Sequence, residues 1–315
     1  MATWPAAGWR LAWDRAGRYP GIVLDVLRGV GCVWEFHGDG LRIKPEGARA
    51  PWLLRALGER LVPYEAIADV TLTPGRLGKV VLRVRPRQGA DPVLTAAAGQ
   101  LKESHDPYRL QLPAKLGTLA EYYAEETKAA ITDTGPVDRF LVAAPKPPLK
   151  FKAWDGAAAF DGEAVTFTWF WSGATGAKYD TGDQRYRVAD LEDVEWHAPE
   201  LASGSLRLKV RGRRMPPSAE KDPASVVFGM GYGLVHESLP FAASVLAAIR
   251  AASPAPALET AREKDLEPSS QAKPRPAADG AALADLLRKL GELRDAGLLT
   301  EEEFQAKKAE LLSRM

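Results

Sequence analysis

Two glycine-rich stretches and four histidines are the residues here whose types and spacing come nearest to chemistry. Gly229-Met-Gly-Tyr-Gly233 follows the apolar Val226-Val-Phe228 and precedes a helical pattern. Backbone N–H groups at such a junction can cradle a phosphate. A dinucleotide loop, however, needs a further glycine where this chain has Leu234, and it opens a βαβ unit instead of closing a repeat. The stretch predicts a tight strand-to-helix connection. Gly173-Ala-Thr-Gly-Ala-Lys178 has the composition of a phosphate loop but no Gly-Lys-[Ser/Thr], and it predicts a hairpin loop. His37, His105, His197 and His236 form no His-x-x-x-His pair and no Cys/His cluster, so no metal is expected. Glu195 and Glu200 near His197 are too common a neighbourhood to mark catalysis. There is no Gly-x-Ser-x-Gly elbow, and His236-Glu-Ser238 is adjacency in sequence, not triad geometry. The expectation is a protein without catalytic, cofactor-binding or metal-binding residues.

Two other patterns suit binding. Arg83, Arg85 and Arg87 alternate, as do Arg207, Lys209, Arg211 and Arg213. A period of two puts each set on one strand face. Such a face either meets an anionic lipid or acidic partner, or is a solvated outer face whose charges discourage edge pairing. In Phe167-Thr-Trp-Phe-Trp171, the rings of Phe167, Trp169 and Trp171 share one strand face. They are either core or an exposed strip for a partner.

The bulk numbers narrow the class. With 42 Lys+Arg against 41 Asp+Glu the net charge is +1, which disfavours a dedicated nucleic-acid binder. Cys32 is the single cysteine and lies among Val30, Val33 and Trp34. It predicts a buried thiol and a reducing compartment. No apolar run reaches the roughly 20 residues of a membrane span. The N-terminus does not read as a secretion signal, so the cytoplasm is the expected location.

The elements that would position these residues come in two copies. Phe36-His-Gly-Asp-Gly-Leu-Arg-Ile43 matches Phe160-Asp-Gly-Glu-Ala-Val-Thr-Phe167 at an offset of 124, and Ala66 to Val70 matches Asp190 to Val194 at the same offset. Leu82-Arg-Val-Arg85 matches Leu208-Lys-Val-Arg211 at 126, and Leu112-Pro113 matches Leu239-Pro240, each before a helical segment. Ordered blocks at near-constant spacing predict a duplication. Each copy opens with a hairpin, Val33–Phe36 and Leu41–Ile43 in the first, around a glycine turn. Alternating strands follow at Ile67–Leu72, Val80–Arg85 and Tyr108–Leu112. A helix closes each copy, over Leu116–Ile131 and Phe241–Ile249. This predicts an α+β, mainly β fold: two tandem pleckstrin-homology-like barrels, each capped by a C-terminal helix, plus a C-terminal two-helix hairpin.

The expected boundaries are an N-terminal extension at 1–24, a first domain at 25–132 and a proline-rich connector at 133–149, then a second domain at 150–252. A disordered linker at 253–278 and the hairpin at 279–315 complete the chain. The linker composition cannot bury a core, and a flexible chain of that length reaches roughly 25–30 Å. In the hairpin, Leu283, Leu286, Leu287, Leu290 and Leu293 share one helical face. Gly297 suits a left-handed C′ position, and Thr300 with Glu303 forms a capping box. Phe304, Leu311, Leu312 and Met315 line the second helix. Leu286, Leu290, Leu293, Phe304, Leu311 and Leu312 are more apolar surface than so small a unit can bury alone. They are the predicted interface, docking on the chain's own barrels, a second copy or another protein. A weak contact with anionic membranes is the alternative partner.

Several of these stretches carry a family resemblance. Tyr64-Glu-Ala-Ile-Ala-Asp-Val70, Asp106-Pro-Tyr-Arg-Leu110, Leu119-Ala-Glu-Tyr-Tyr123 and Gly231 to Pro240 resemble actinobacterial proteins of domain of unknown function 4429, over roughly Asp25 to Ile249 in two copies. Gly297-Leu-Leu-Thr-Glu-Glu-Glu-Phe304 within Leu286 to Leu312 resembles the short C-terminal (SHOCT) domain. The first resemblance implies a pleckstrin-homology-like fold and no established activity. The second implies oligomerisation or docking. Neither supplies a catalytic residue. Residues 1–20, with Trp4, Trp9 and Trp13, fall outside the shared pattern.

Overall fold

The computed structural model describes residues 26–199, 204–229, 231–252 and 301–312, with Leu287, Arg288, Gly291 and Arg294 before the last stretch. The expected N-terminal extension and linker, and Leu286, Leu290 and Leu293, lie outside the described residues, as do the side chains of Leu311 and Leu312.

Sheet order shows the duplication directly. In the first half β1 (Val26–Arg28), β2 (Cys32–Phe36), β3 (Gly40–Pro45) and β4 (Arg60–Pro63) form one antiparallel sheet in sequence order. β5 (Ile67–Pro74), β6 (Lys79–Pro86) and β7 (Arg109–Pro113) form a second. Between these strands lie two short helices, α1 (Trp52–Leu57) and α2 (Pro92–Ala97), and the half ends in α3 (Gly117–Ala130). The second half repeats the plan. β8 (Leu149–Lys152), β9 (Gly156–Phe160), β10 (Ala164–Trp169) and β11 (Gln184–Arg187) form a four-stranded sheet, with the short α4 (Gly176–Tyr179) before β11. β12 (Leu191–His197), β13 (Gly204–Val210) and β14 (Ser225–Phe228) form a three-stranded sheet, and α5 (Val235–Ala252) closes the half. The helix α6 (Glu301–Leu312) comes last.

The four sheets are separate, so the expected closed barrels are not formed. In the first half the strand path breaks at a 3-10 turn, Tyr64–Ala66, between β4 and β5. The turn between β1 and β2 meets β7 through a backbone bond, Val30 N–H to the Gln111 carbonyl at 2.9 Å, with no ladder. The close approach needs Gly29, where a Cβ would lie 2.4 Å from Leu110 Cδ1.

Pairing register fixes which residues are equivalent. Phe36 faces Leu41 as Phe160 faces Val165, and Val70 faces Val84 as Val194 faces Leu208. A β-bulge between Ile67 and Asp69 recurs between Leu191 and Asp193. Leu82 pairs with Leu72 and Leu206 with Trp196, so Leu82 corresponds to Leu206 and not to Leu208. A slip of two preserves in-and-out alternation, which is why the sequence match at 126 looked sound. The match of Leu112-Pro113 to Leu239-Pro240 also fails. The first pair ends β7, whereas Leu239 and Pro240 are buried inside α5. The turn through Gly231 and Gly233 starts α5 six residues earlier than the expected Phe241. Pro240 then removes one helical hydrogen bond from the second turn without ending the helix.

Each half has its own core. Trp34 faces Ile43 in the first, and at the equivalent pair Ala158 faces Phe167 in the second. The large ring has moved across the strand pair, and Ala158 with Phe167 fills less space than Trp34 with Ile43. The cores are joined, because Leu53 of α1 and Val93, Ala96 and Ala97 of α2 pack into the second-half core. They cover the side of α5 that its own sheets leave open. That double cover explains a helix apolar nearly all round, with Leu239, Phe241, Ala242, Val245 and Leu246 all buried. Gln100 seals the junction, its amide donating to the Trp196 carbonyl at 2.9 Å and accepting from Ala198 N–H at 3.0 Å. Within the expected connector at 133–149, Leu141 and Val142 donate to the Ala90 carbonyl and Val142 enters the first core.

Candidate partner-docking surface

α3 has two working sides. Ala120, Tyr123, Ala124 and Thr127 recur at helical spacing and are buried, and Tyr123 stacks on Phe36 of β2 at 4.4 Å. Tyr122 and Glu126, one turn apart, lie round the helix from Ala120 and Ala124 and are also buried. The cover at Glu126 comes from the C-terminal region. Lys307 Nζ of α6 lies 3.3 Å from Glu126 Oε1, with both side chains 9% exposed. Leu287 and Phe304 pack against the first-half core. The Arg294 guanidinium stacks over Phe304 at 4.7 Å and reaches Glu301 at 3.8 Å. The ion pair is dry enough that losing either partner strands a buried charge. Of the predicted interface residues, Phe304 is the one whose side chain is described. Lys307 and its partner Glu126 were missed, because apolar periodicity does not register a buried charge.

The basic strand residues are matched by carboxylates. Arg83 lies 3.0 Å from Glu103 and 3.3 Å from Asp106, and Arg85 lies 3.8 Å from Asp69. Arg87 pairs with Asp133. Arg207 lies 3.4 Å from Asp222, Lys209 3.4 Å from Glu192 and Arg213 2.9 Å from Asp222. Arg211 is exposed. The Arg83–Asp106 and Arg207–Asp222 pairs occupy equivalent places. Each aspartate also accepts the backbone N–H two residues on, from Tyr108 at 2.9 Å and Ala224 at 3.0 Å. These pairs brace the entry to β7 and β14 in both halves.

The aromatic row divides. Phe167 and Trp169 are core, and the Trp169 indole donates to the Gly182 carbonyl at 2.9 Å. β10 ends there, and Trp171 stands in the following loop at 82% exposure.

The chemistry-like stretches have structural partners. Gly229 and Tyr232 exchange backbone hydrogen bonds at 3.1 and 3.0 Å, so those N–H groups are spent on the turn. Gly233 has φ 58°, and a Cβ there would lie 2.4 Å from Phe228 Cβ. Ser238 is buried, accepts from the Trp196 indole at 3.0 Å and donates to the Gly233 carbonyl at 2.9 Å. His236 instead stacks against Trp52 at 5.5 Å. Among the described residues no group of His, Cys, Asp and Glu is arranged to hold a metal. Burial, and secondarily Glu46, pushes the Cys32 thiol up to about 11.

Two buried polar networks escaped sequence reading. Lys178 Nζ lies 2.6 Å from Asp155 Oδ2 and 2.8 Å from the Ser225 carbonyl, 5.0 Å from the Trp169 ring. Burial lowers its pKa, against the pull of Asp155. In the first half, Arg60 donates to Asp91 at 2.9 Å and to Tyr108 Oη at 3.1 Å, and Tyr108 donates to Asp91 at 2.5 Å. Asp91 also caps α2 by accepting from Val93 N–H. The Asp91-Pro92 start of α2 was a readable helix signal.

Among the described residues no helix is long and apolar enough to cross a membrane. Residues 285–312 match the family model of the short C-terminal domain, SHOCT. No curated protein matches the chain. Residues 34–128 and 158–246 each match the domain of unknown function DUF4429. Together these two segments make up more than half of the sequence, and the chain therefore belongs to the DUF4429 family, as a tandem pair of the domain followed by SHOCT.

Proposed function

We propose that this is a non-enzymatic binding and assembly protein of the cytoplasm that self-associates or docks on a partner through its C-terminal hairpin. We read each repeat as a pleckstrin-homology-like module. Four strands, then three, then a helix support that reading. The observation that carries the function is the seat of Phe304 and Lys307 at the first repeat and its helix α3. α3 and α5 end equivalent repeats, but α5 is covered by α1 and α2, while Glu126 of α3 receives α6. A two-helix unit this small needs such cover to stay folded. The buried single thiol suits a reducing compartment.

Sedimentation velocity on the full chain, a chain ending near Ala278, Leu290→Ala/Phe304→Ala and Lys307→Glu tests the reading. The full chain should associate with rising concentration and the other three should not. Glu126→Lys should restore association to Lys307→Glu. Identical sedimentation of all forms, with the same partners recovered from cells, would overturn it.

A further inference from the structure

The second repeat carries a surface that the first lacks. Trp154, in the β8–β9 turn, is 48% exposed, and Trp171, in the loop after β10, is 82% exposed. By register their first-repeat equivalents are Val30 and Gly47. The two loops lie together, with Phe170 N–H bonding the Asp155 carbonyl at 3.0 Å and Gly173 set against the Trp154 backbone. Trp154 meets Tyr232 at 6.1 Å, and Leu234 follows it on the surface. One turn on, His236 meets Trp52 of α1, which is 65% exposed. The Trp154 and Trp171 loops and Tyr232 adjoin, and the chain from Tyr232 to His236 leads from them to Trp52, as a ridge that ends on the first repeat. Single exposed apolar residues are ordinary, but several gathered on adjoining loops are not.

The charge beside the ridge differs from that on the strand faces. Lys150 and Lys152 leave β8 on the exposed side and lead to Trp154. Arg55 lies over the Trp52 ring at 4.7 Å and gives its N–H groups to the carbonyls of Ala48 and Ala50. None of the three has a carboxylate partner among the described residues, with Glu237 the exposed acid next to His236. Arg83, Arg85, Arg207 and Lys209 all have one.

We propose that this ridge is where the protein lies on an anionic lipid surface. Tryptophan and tyrosine favour the bilayer interface, where the ring enters the headgroup region and the polar edge stays wet. Unpaired lysine and arginine beside them add attraction to acidic headgroups. The surface is distinct from the hairpin seat on α3, so the two roles can be separated.

The test is co-sedimentation of the full chain with vesicles of phosphatidylcholine alone or mixed with phosphatidylglycerol. Binding to the mixed vesicles is expected at low salt, weakening as salt rises. Trp154→Ala/Trp171→Ala should lose about tenfold or more in affinity with an unchanged melting temperature, because both side chains are exposed. Lys150→Glu/Lys152→Glu should abolish the preference for the anionic lipid. The chain ending near Ala278 should bind as the full chain does. Absence of binding to mixed vesicles at low salt would overturn the proposal. So would unchanged binding by the tryptophan variant, or loss of binding with the hairpin. A tryptophan variant that alters sedimentation of the lipid-free protein would instead make the ridge a protein interface.

Discussion

Lys178 stands in the second repeat where Leu54 stands in the first, and both side chains are buried. A leucine fits an apolar site unaided. The lysine is held by Asp155, which takes the place of Gly31 and also accepts Val227 N–H at 2.9 Å. Lys178→Leu alone leaves a buried carboxylate unpaired and should cost about 3–5 kcal/mol. Adding Asp155→Asn removes that charge and keeps an acceptor for Val227, so it should recover part of the loss. Urea denaturation of the two variants checks this, and equal stability of single and double would show that the pair is not coupled.

The exchange of bulk between Trp34 and Ile43, and between Ala158 and Phe167, gives a second expectation. Trp34→Ala should cost about 3–5 kcal/mol through the cavity it leaves. Ile43→Phe, which copies the second repeat, should return a measurable fraction when added to it. Thermal melts of wild type, single and double variants decide the point. A double variant no better than the single means that the two repeats fill their cores differently.

Cys32 should be inert while the chain is folded. Its thiol is buried and shifted to about 11, so at pH 8 very little thiolate is present to attack a reagent. Labelling by a disulfide reagent at pH 8 should follow global unfolding and accelerate with denaturant. Rapid labelling of the native protein at a rate independent of denaturant would contradict the burial.

The duplication, the glycine-turn hairpins and the closing helices were legible because they rest on local pattern: alternation, turn glycines and helical spacing. Other features were not. The register of β6 against β13 admits an even-numbered slip that leaves alternation intact, and it took the bulges at Asp69 and Asp193 to remove the ambiguity. Trp171 has the right spacing to continue the row of Phe167 and Trp169, but the strand stops first. The seat of Phe304 was legible only in part. Its helical face could be read, but the Lys307–Glu126 pair on the same helix joins residues far apart in sequence and carries charge. Lys178 and Arg60 were invisible for the same reason, since nothing local distinguishes a buried cation from a solvated one.

The sharing of α1 and α2 with the second-half core bears on how the chain is made. Leu53, Val93, Ala96 and Ala97 leave the ribosome well before α5, the helix they finally cover. At about 5–20 residues per second, the first repeat waits roughly ten to thirty seconds with that greasy patch bare. Newborn chains are at their most adhesive in this interval. The second repeat cannot complete its interior without material synthesised long before it, so the gene encodes two copies of one domain, while the polypeptide matures as a single interlocked body.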